Sequence, residues 1–148
     1  MGKIGVIELF LVGAIIVLFI IPQIFFLLTL KKTFKEISAE NRQMISGQVW
    51  LALIPLFGMI WQFFIIDKLA LSLKAEFKKK NIVVNEDKPG YSIGLAYCIL
   101  MICSLLPIIG FFTAVPAVVC WIIYWVKISN YKRELQATKE INLSSIGN

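Results

Sequence analysis

The chain has 148 residues, of which 59% are hydrophobic and 16% are charged, and its mean hydropathy is +0.82. This composition is far more apolar than that of a soluble domain of similar length and predicts an integral membrane protein. Histidine does not occur, which removes the commonest general base and the commonest metal ligand. The net charge of +6 comes from residues that border apolar segments, which favours membrane topology over nucleic-acid binding.

The first predicted element is a transmembrane helix over residues 4–30, an apolar run longer than the roughly 20 residues that cross a bilayer. This run is about twice the length of a signal-peptide core, and no small-x-small cleavage site follows it. We therefore expect it to stay as a membrane anchor. The polar stretch that follows is expected to continue the helix out of the membrane or to lie at its surface.

The second element, residues 49–72, is interrupted by Pro55 and Gly58 and has two interpretations. It is either a re-entrant hairpin or a second transmembrane helix. Its apolar arms on either side of the interruption are short, about 10 Å each, which favours the hairpin. Asp67 and Lys68 come just after its apolar part, and they are interpreted either as a structural charge pair or as an ion or proton site.

The third apolar block is long enough to cross twice, which predicts transmembrane helices over residues 91–108 and 110–128 and a polar tail over 129–148. We expect the tail to be helical at first and frayed at its end. A face of small residues begins the third helix and is a candidate for helix packing. That face is formed by Gly90, Gly94 and Cys98. The cysteines, which also include Cys103 and Cys120, match no metal-ligand spacing and are expected to serve packing.

Two stretches of the chain resemble each other. LIPLFG returns 52 residues later as LLPIIG, and FFIIDKLALSLKAEF returns 58 residues later as WIIYWVKISNYKREL. Proline followed by glycine lets a helix stop and reverse. The pattern predicts a direct repeat of two helical hairpins, although two leucine-rich segments could also match by composition alone. The predicted hairpin tips are Pro55, Gly58, Pro107 and Gly110.

The number of Lys and Arg residues on each side of the membrane depends on whether residues 49–72 form a re-entrant hairpin or a transmembrane helix. Lys3 stands alone at the N-terminus, four Lys and Arg residues lie between positions 31 and 48, six between 68 and 90, and four from 127 onward. If every candidate helix spans, eleven are inside and four outside; a re-entrant hairpin leaves fourteen inside and one outside. The positive-inside rule favours the second arrangement, with a cytoplasmic C-terminus. The densest cationic run, Lys78, Lys79 and Lys80, is a candidate contact for anionic lipid head groups.

Several aromatic side chains border the apolar blocks, and they are expected to anchor the protein at the membrane interface. They are Trp50, Trp61, Tyr91, Trp121, Tyr124 and Trp125.

The segments VWLALIPLFGMIW and KPGYSIGLAYCIL resemble those of small polytopic bacterial membrane proteins, and the resemblance covers about residues 48–135. It implies an all-α membrane fold and brings no activity, cofactor or catalytic residue with it. The sequence thus predicts a non-enzymatic scaffold or accessory subunit of a bacterial inner membrane, without cofactors, which contacts lipids and either itself or another membrane protein. The alternative is a small channel or transporter, or a membrane-disrupting effector, that forms a pore as a homo-oligomer.

Overall fold

The computed structural model describes residues 5–54 and 56–146, and these residues form helices and no strand. About 79% of the chain is helical. The elements in chain order are α1 (Val6–Glu36), a 3₁₀ helix (Ser46–Leu53), α2 (Phe57–Lys79), α3 (Tyr91–Cys103) and α4 (Gly110–Ile146). The predicted all-α class is confirmed, and α1 and α4 have the length and composition of membrane spans.

Helix α1 begins at Val6 and extends beyond residue 30, where the predicted span ends. The backbone N–H of Gly5 donates to the Glu8 carboxylate at 3.2 Å and closes the first turn. The helix then continues through its polar residues to Glu36 and ends because Ile37 is extended. Pro22 lies inside the helix, where it cannot donate to the carbonyl four residues earlier. Such a break is tolerated when neighbouring helices cover it.

The two segments predicted as hairpins share one backbone hydrogen bond at their turns, although Leu56 of the first turn has a positive φ of 63° that its counterpart Ile108 lacks. The N–H of Gly58 donates to the carbonyl of Ile54 at 2.6 Å, and the N–H of Gly110 donates to that of Leu106 at 2.6 Å. A Cβ atom on either glycine would overlap the carbonyl oxygen of the residue six positions earlier. The glycine is required at both turns because the chain doubles back against its own backbone.

The two hairpins differ in their first arms. The first arm of the earlier hairpin is the 3₁₀ helix, whereas that of the later one is the α-helix α3. Helix α3 ends five residues before the predicted 108, because residues 104–109 form the turn. Helix α4 runs without a break through the predicted polar tail to Ile146, farther than the expected frayed end.

Helices α1 and α4 run parallel to each other. The indole Nε1 of Trp125 donates to Thr29 Oγ1 at 3.0 Å, and Gln136 Nε2 donates to Glu36 Oε1 at 3.0 Å. An ion pair between Lys79 and Glu40 brings the end of α2 to the same place. We call this the polar end: residues 36–45, residues 76–90 and α4 from residue 127 onward. Both hairpin turns lie at the other end of their helices.

The core is built around the ring of Phe26, which lies edge-on to four aromatic rings at centroid distances of 5.7 to 6.4 Å. These rings belong to Tyr97, Trp121, Tyr124 and Trp125. Tyr124 is only 1% exposed, so the structure places it in the core and not in the expected interface belt. An aromatic residue near the end of an apolar block suits both environments, and only packing distinguishes them.

Candidate functional site: buried polar groups among the helices

The most enclosed charge is the carboxylate of Glu76, near the end of α2, whose side chain is 0% exposed. It accepts hydrogen bonds from the Ser38 N–H at 3.2 Å, the Ser38 hydroxyl at 3.0 Å and Asn41 Nδ2 at 2.8 Å. The ammonium of Lys80 lies 3.3 Å away. Burial raises the pKa of Glu76, but the hydrogen bonds from Asn41 and Ser38 lower it by more, so that its pKa lies below the ordinary value.

A second carboxylate, Glu86, holds the connection between α2 and α3. It forms an ion pair with Lys127 of α4, and it accepts a hydrogen bond from the Gly90 N–H at 2.7 Å where α3 begins. Burial raises the pKa of Glu86, and the bonds from Lys127 and Gly90 lower it by more, so its pKa also lies below the ordinary value. Glu76 thus joins the segment after α1 to α2, and Glu86 joins the loop between α2 and α3 to α4 and to the start of α3.

Asp67 and Lys68, the predicted charge site, do not pair with each other. Asp67 lies 3.5 Å from the ammonium of Lys88, in the loop before α3, and both side chains are more than one third exposed. The same ammonium lies 4.7 Å from the centre of the Tyr91 ring. Asp67 is therefore in a solvated ion pair on the side of the bundle.

The predicted lipid-contacting lysines have different surroundings. Lys79 pairs with Glu40, and Lys80 approaches Glu76, whereas Lys78 is exposed. Two of the three ammonium groups therefore have carboxylate partners within the protein.

The predicted small-residue face is buried against neighbouring helices. Gly90, with φ of 76°, lies in the left-handed region, and a Cβ there would be 3.2 Å from Ile128 Cδ1. At Gly94 a Cβ would lie 2.7 Å from Ile66 Cγ2 and 2.9 Å from a ring carbon of Tyr124. Cys98, one turn farther on, is also buried. The glycines bring α3 close to α2 and α4.

The predicted hairpin tips are only partly described. Pro55 lies outside the described residues. Gly58 and Gly110 are buried within the turns, and Pro107 is exposed.

Two adjoining cavities open between the helices, and together we call them the cleft. The inner cavity, of about 50 Å³, lies among α1, the 3₁₀ helix, α2 and α3; the outer one, of about 360 Å³, lies among α1, α3 and α4. Gln23, Tyr97 and Met101 line both cavities. The other walls of the outer cavity are mainly apolar, formed by Leu18, Phe19, Ala114, Ala117 and Val118.

Two N–H groups at the cleft are buried without an acceptor among the described residues. One is Nε2 of Gln62, whose side chain is 5% exposed and lines the inner cavity. The other is the indole Nε1 of Trp121, whose side chain lines the outer cavity. Buried donors without partners are rare in folded proteins, so each requires an explanation.

Gln23 and Gln62 are not among the residues predicted from the sequence. They stand as isolated uncharged polar residues within the apolar blocks at 4–30 and 49–72. That position was a usable signal, because polar side chains inside membrane segments commonly face other helices. Trp121 gave no such signal, because its indole also suits an interface.

The described residues contain no group of three or more Cys, Asp or Glu side chains placed to hold a metal ion. No family model matches the chain, and neither a curated protein nor a solved structure matches it significantly.

Proposed function

We propose that this protein is a small, non-enzymatic integral membrane protein that acts as a scaffold or accessory subunit in an oligomer or a larger membrane complex. The observation that carries the proposal is the exposure of the first half of α1. Every residue from 6 to 21 is exposed, and almost all are apolar. A contiguous apolar surface of this kind is covered by lipid, by another protein, or by both.

Placement in a membrane is supported by how little of the candidate spans is buried. Only 11% of the apolar window of α1 and 17% of that of α4 lie inside the protein. The core helix of a soluble protein would be mostly buried, because its apolar side chains have no other place to avoid water. We place the protein in a bacterial inner membrane.

The polar end is assigned to the cytoplasm. The ion pair of Lys79 with Glu40, and the bonds from Ser38 and Asn41 to Glu76, are compatible with residues 37–45 and 80–90 on one side of the membrane. Fourteen of the fifteen Lys and Arg residues are then inside, as the positive-inside rule prefers. The 3₁₀ helix and α2 form one re-entrant hairpin in this arrangement. Helix α3 and the first part of α4 form a second one, in place of the two transmembrane helices expected over residues 91–108 and 110–128.

The depth of the second hairpin supports the same arrangement. Thr29 and Trp125 mark one level of the parallel helices α1 and α4, which puts Gly110 near the level of Ala14. About eight residues of α1, or about 12 Å, then extend beyond the start of α4. Helix α1 is long enough to cross the bilayer alone, and the hairpin stops short of its far end.

We interpret the two hairpins as a direct repeat. Support comes from one hydrogen bond that both turns share: its donors, Gly58 and Gly110, are 52 residues apart, as are its acceptors, Ile54 and Leu106. This is also the spacing of the LIPLFG and LLPIIG segments.

The partner-binding surface is assigned to one face of α1. A shallow groove runs along this face, centred on Gly13, where an added Cβ would meet no atom within 4 Å. A missing side chain flanked by large ones is a place where a second transmembrane helix packs closely. The groove is lined by Val6, Leu9, Phe10, Gly13, Ala14 and Val17.

The experiment is purification from native membranes in a mild detergent, followed by mass spectrometry of the intact assembly. We expect a defined oligomer or a stoichiometric partner, which Gly13→Trp disrupts by filling the groove. The matched control is Leu11→Trp, which places the same side chain on the opposite face of α1. A monomeric wild-type protein, or equal effects of the two variants, would contradict the scaffold role.

A channel or transporter is supported less well. In that role Asp67 would be expected to face a pore, but it pairs with Lys88 and lines neither cavity of the cleft. We therefore expect the wild-type protein to give no ion flux above background in liposomes, and Asp67→Asn to leave that result unchanged. Flux in the wild type that Asp67→Asn abolishes, with the assembly intact, would favour the channel.

A further inference from the structure

The cleft has the features of a binding site for a lipid-soluble ligand. Its outer cavity, of about 360 Å³, falls in the usual range for small-molecule sites. The apolar walls would accept a hydrocarbon, whereas the buried N–H groups of Gln62 and Trp121 require acceptors. A ligand that satisfies both surfaces is apolar and carries hydrogen-bond acceptors.

The depth of the cleft restricts which acceptors can reach it. Gln23 precedes Lys31 by eight residues and Ala117 precedes Lys127 by ten, so the cleft lies about 12 to 15 Å from these cations. In the arrangement proposed above, this is close to the middle of a hydrocarbon core of about 30 Å. The ester and phosphate oxygens of a phospholipid stay near the head groups, so its acyl chain would bring no acceptor to these donors.

The two unpartnered donors favour a ligand with more than one hydrogen-bond acceptor. An N–H group donates to a carbonyl oxygen, and the aromatic side chain of Tyr97, which lines both cavities, suits contact with a ligand ring. Met101, which lines both the inner and the outer cavity, has a flexible side chain that adapts to a ligand reaching Gln62.

We propose that the cleft binds a membrane-soluble ring compound with carbonyl acceptors, of the chemical class of isoprenoid quinones, whose carbonyls accept hydrogen bonds from Gln62 and Trp121. The apolar tail would leave the cleft between α1 and α4 and enter the lipid. This inference rests on the membrane placement proposed above, and it is independent of the scaffold role. It assigns binding only, and no electron transfer.

The test uses the full-length protein in lipid nanodiscs and two probes, 2-decyl-1,4-benzoquinone and decylbenzene. Each probe is titrated into nanodiscs with and without protein, so that partition into lipid can be subtracted. We expect saturable binding of the quinone only. Gln62→Leu, which keeps the size of the side chain and removes its donors, should weaken quinone binding about tenfold. Ala114→Leu, which narrows the outer cavity from an exposed position, should weaken it as well.

Gln136→Leu is the matched control, because it makes the same change at the polar end, where Gln136 bonds Glu36. It should leave the affinity for the quinone unchanged. The Tm of the unliganded protein gives a second measurement: Gln62→Leu should preserve or raise it, since the substitution removes a buried group without a partner.

Several results would overturn the proposal. Equal binding of the two probes would identify the cleft as a groove for acyl chains. Quinone binding unaffected by Gln62→Leu would remove the assigned donor. A lowered Tm of Gln62→Leu together with unchanged binding would show that the amide is satisfied inside the protein, for example by a buried water. Failure of the protein to insert into nanodiscs would instead refute the membrane placement.

Discussion

Asn41 donates from Nδ2 to the Glu76 carboxylate at 2.8 Å and thereby connects the segment after α1 to the last turns of α2. The two residues are 35 positions apart, and the carboxylate that joins them is fully buried. Ser38 supplies two further hydrogen bonds to the same group. The connection between α1 and the first hairpin is therefore fixed by a charge with several donors, and not by apolar packing alone.

Replacing this carboxylate should destabilise the protein. Glu76→Gln removes the charge and substitutes an amide N–H₂ for one acceptor oxygen, which leaves donors of Ser38 or Asn41 unpaired in a buried place. We expect a loss of about 2 kcal/mol in the free energy of unfolding, measured in detergent by thermal or denaturant titration. Glu134→Gln is the control, because Glu134 stands 58 positions later in the other half of the proposed repeat and is exposed. Equal losses in the two variants would contradict the structural role of Glu76.

The stability of the protein should also depend on pH through the two carboxylates at the polar end. The pKa values of Glu76 and Glu86 in the folded protein lie below the ordinary value of 4.5, so folding favours their charged forms. Their contribution is fully present above pH 4.5 and is lost as the pH falls through the lower, folded values. We expect the free energy of unfolding to change little between pH 7 and about pH 5.5 from these groups and to decrease below about pH 4.5.

Variants identify the source of this pH dependence. Glu76→Gln and Glu86→Gln should each make the acid decline shallower, because a glutamine cannot bind the proton that the unfolded glutamate takes up. The measurement is a series of denaturant titrations between pH 3.5 and pH 7. An unchanged acid slope in both variants would assign the decline to other groups.

The sequence predicts the coarse fold well because hydrophobic length and the turn residues are local properties. The apolar run before Lys31 predicts a helix, and the glycine after each proline marks where the chain reverses. The first hairpin arm is a 3₁₀ helix, which the sequence does not reveal, since an eight-residue apolar segment suits several local structures. The sequence does not predict the end of α1 at Glu36 either, since the residues after it, Ser38 and Asn41, bond to Glu76, which is 38 and 35 positions away.

The candidate site is less predictable, because burial depends on packing between distant segments. Glu76 and Glu134 occupy matching positions of the proposed repeat, but only Glu76 meets Ser38 and Asn41 and is enclosed. No local pattern distinguishes these glutamates. The partner of Asp67 is similarly 21 residues away, at Lys88, and not next to it at Lys68.

The turn glycines should be intolerant of a side chain. An alanine Cβ at Gly58 or at Gly110 would overlap a backbone carbonyl of the same turn, which can be relieved only by moving the backbone. We expect Gly58→Ala and Gly110→Ala each to lower the free energy of unfolding by about 2 kcal/mol or more. Gly47→Ala is the control, because a Cβ at Gly47 would meet no atom within 4 Å. A neutral Gly110→Ala variant would show that the tight turn before α4 does not form.

Cysteine labelling tests the proposed placement of both hairpins. In a background with Cys98, Cys103 and Cys120 replaced by alanine, single cysteines at Glu40 and Lys79 should react with a membrane-impermeant maleimide from the same side. The reason is that these residues form an ion pair in the structure. Ile108, which is 84% exposed at the turn before α4, should be protected from the reagent on that side because it lies within the bilayer.

The outcome separates the two topologies without reference to any function. If α2 crosses the membrane completely, Glu40 and Lys79 react from opposite sides, and the bonds between Glu76 and the segment after α1 cannot form in the membrane. If both react from the cytoplasmic side, Gly5→Cys reacts from the other, and a cysteine at Ile108 reacts from neither, α1 is the one full crossing, and both hairpins enter and leave by the polar end. The carboxylates of Glu76 and Glu86 then hold those hairpins to the cytoplasmic surface.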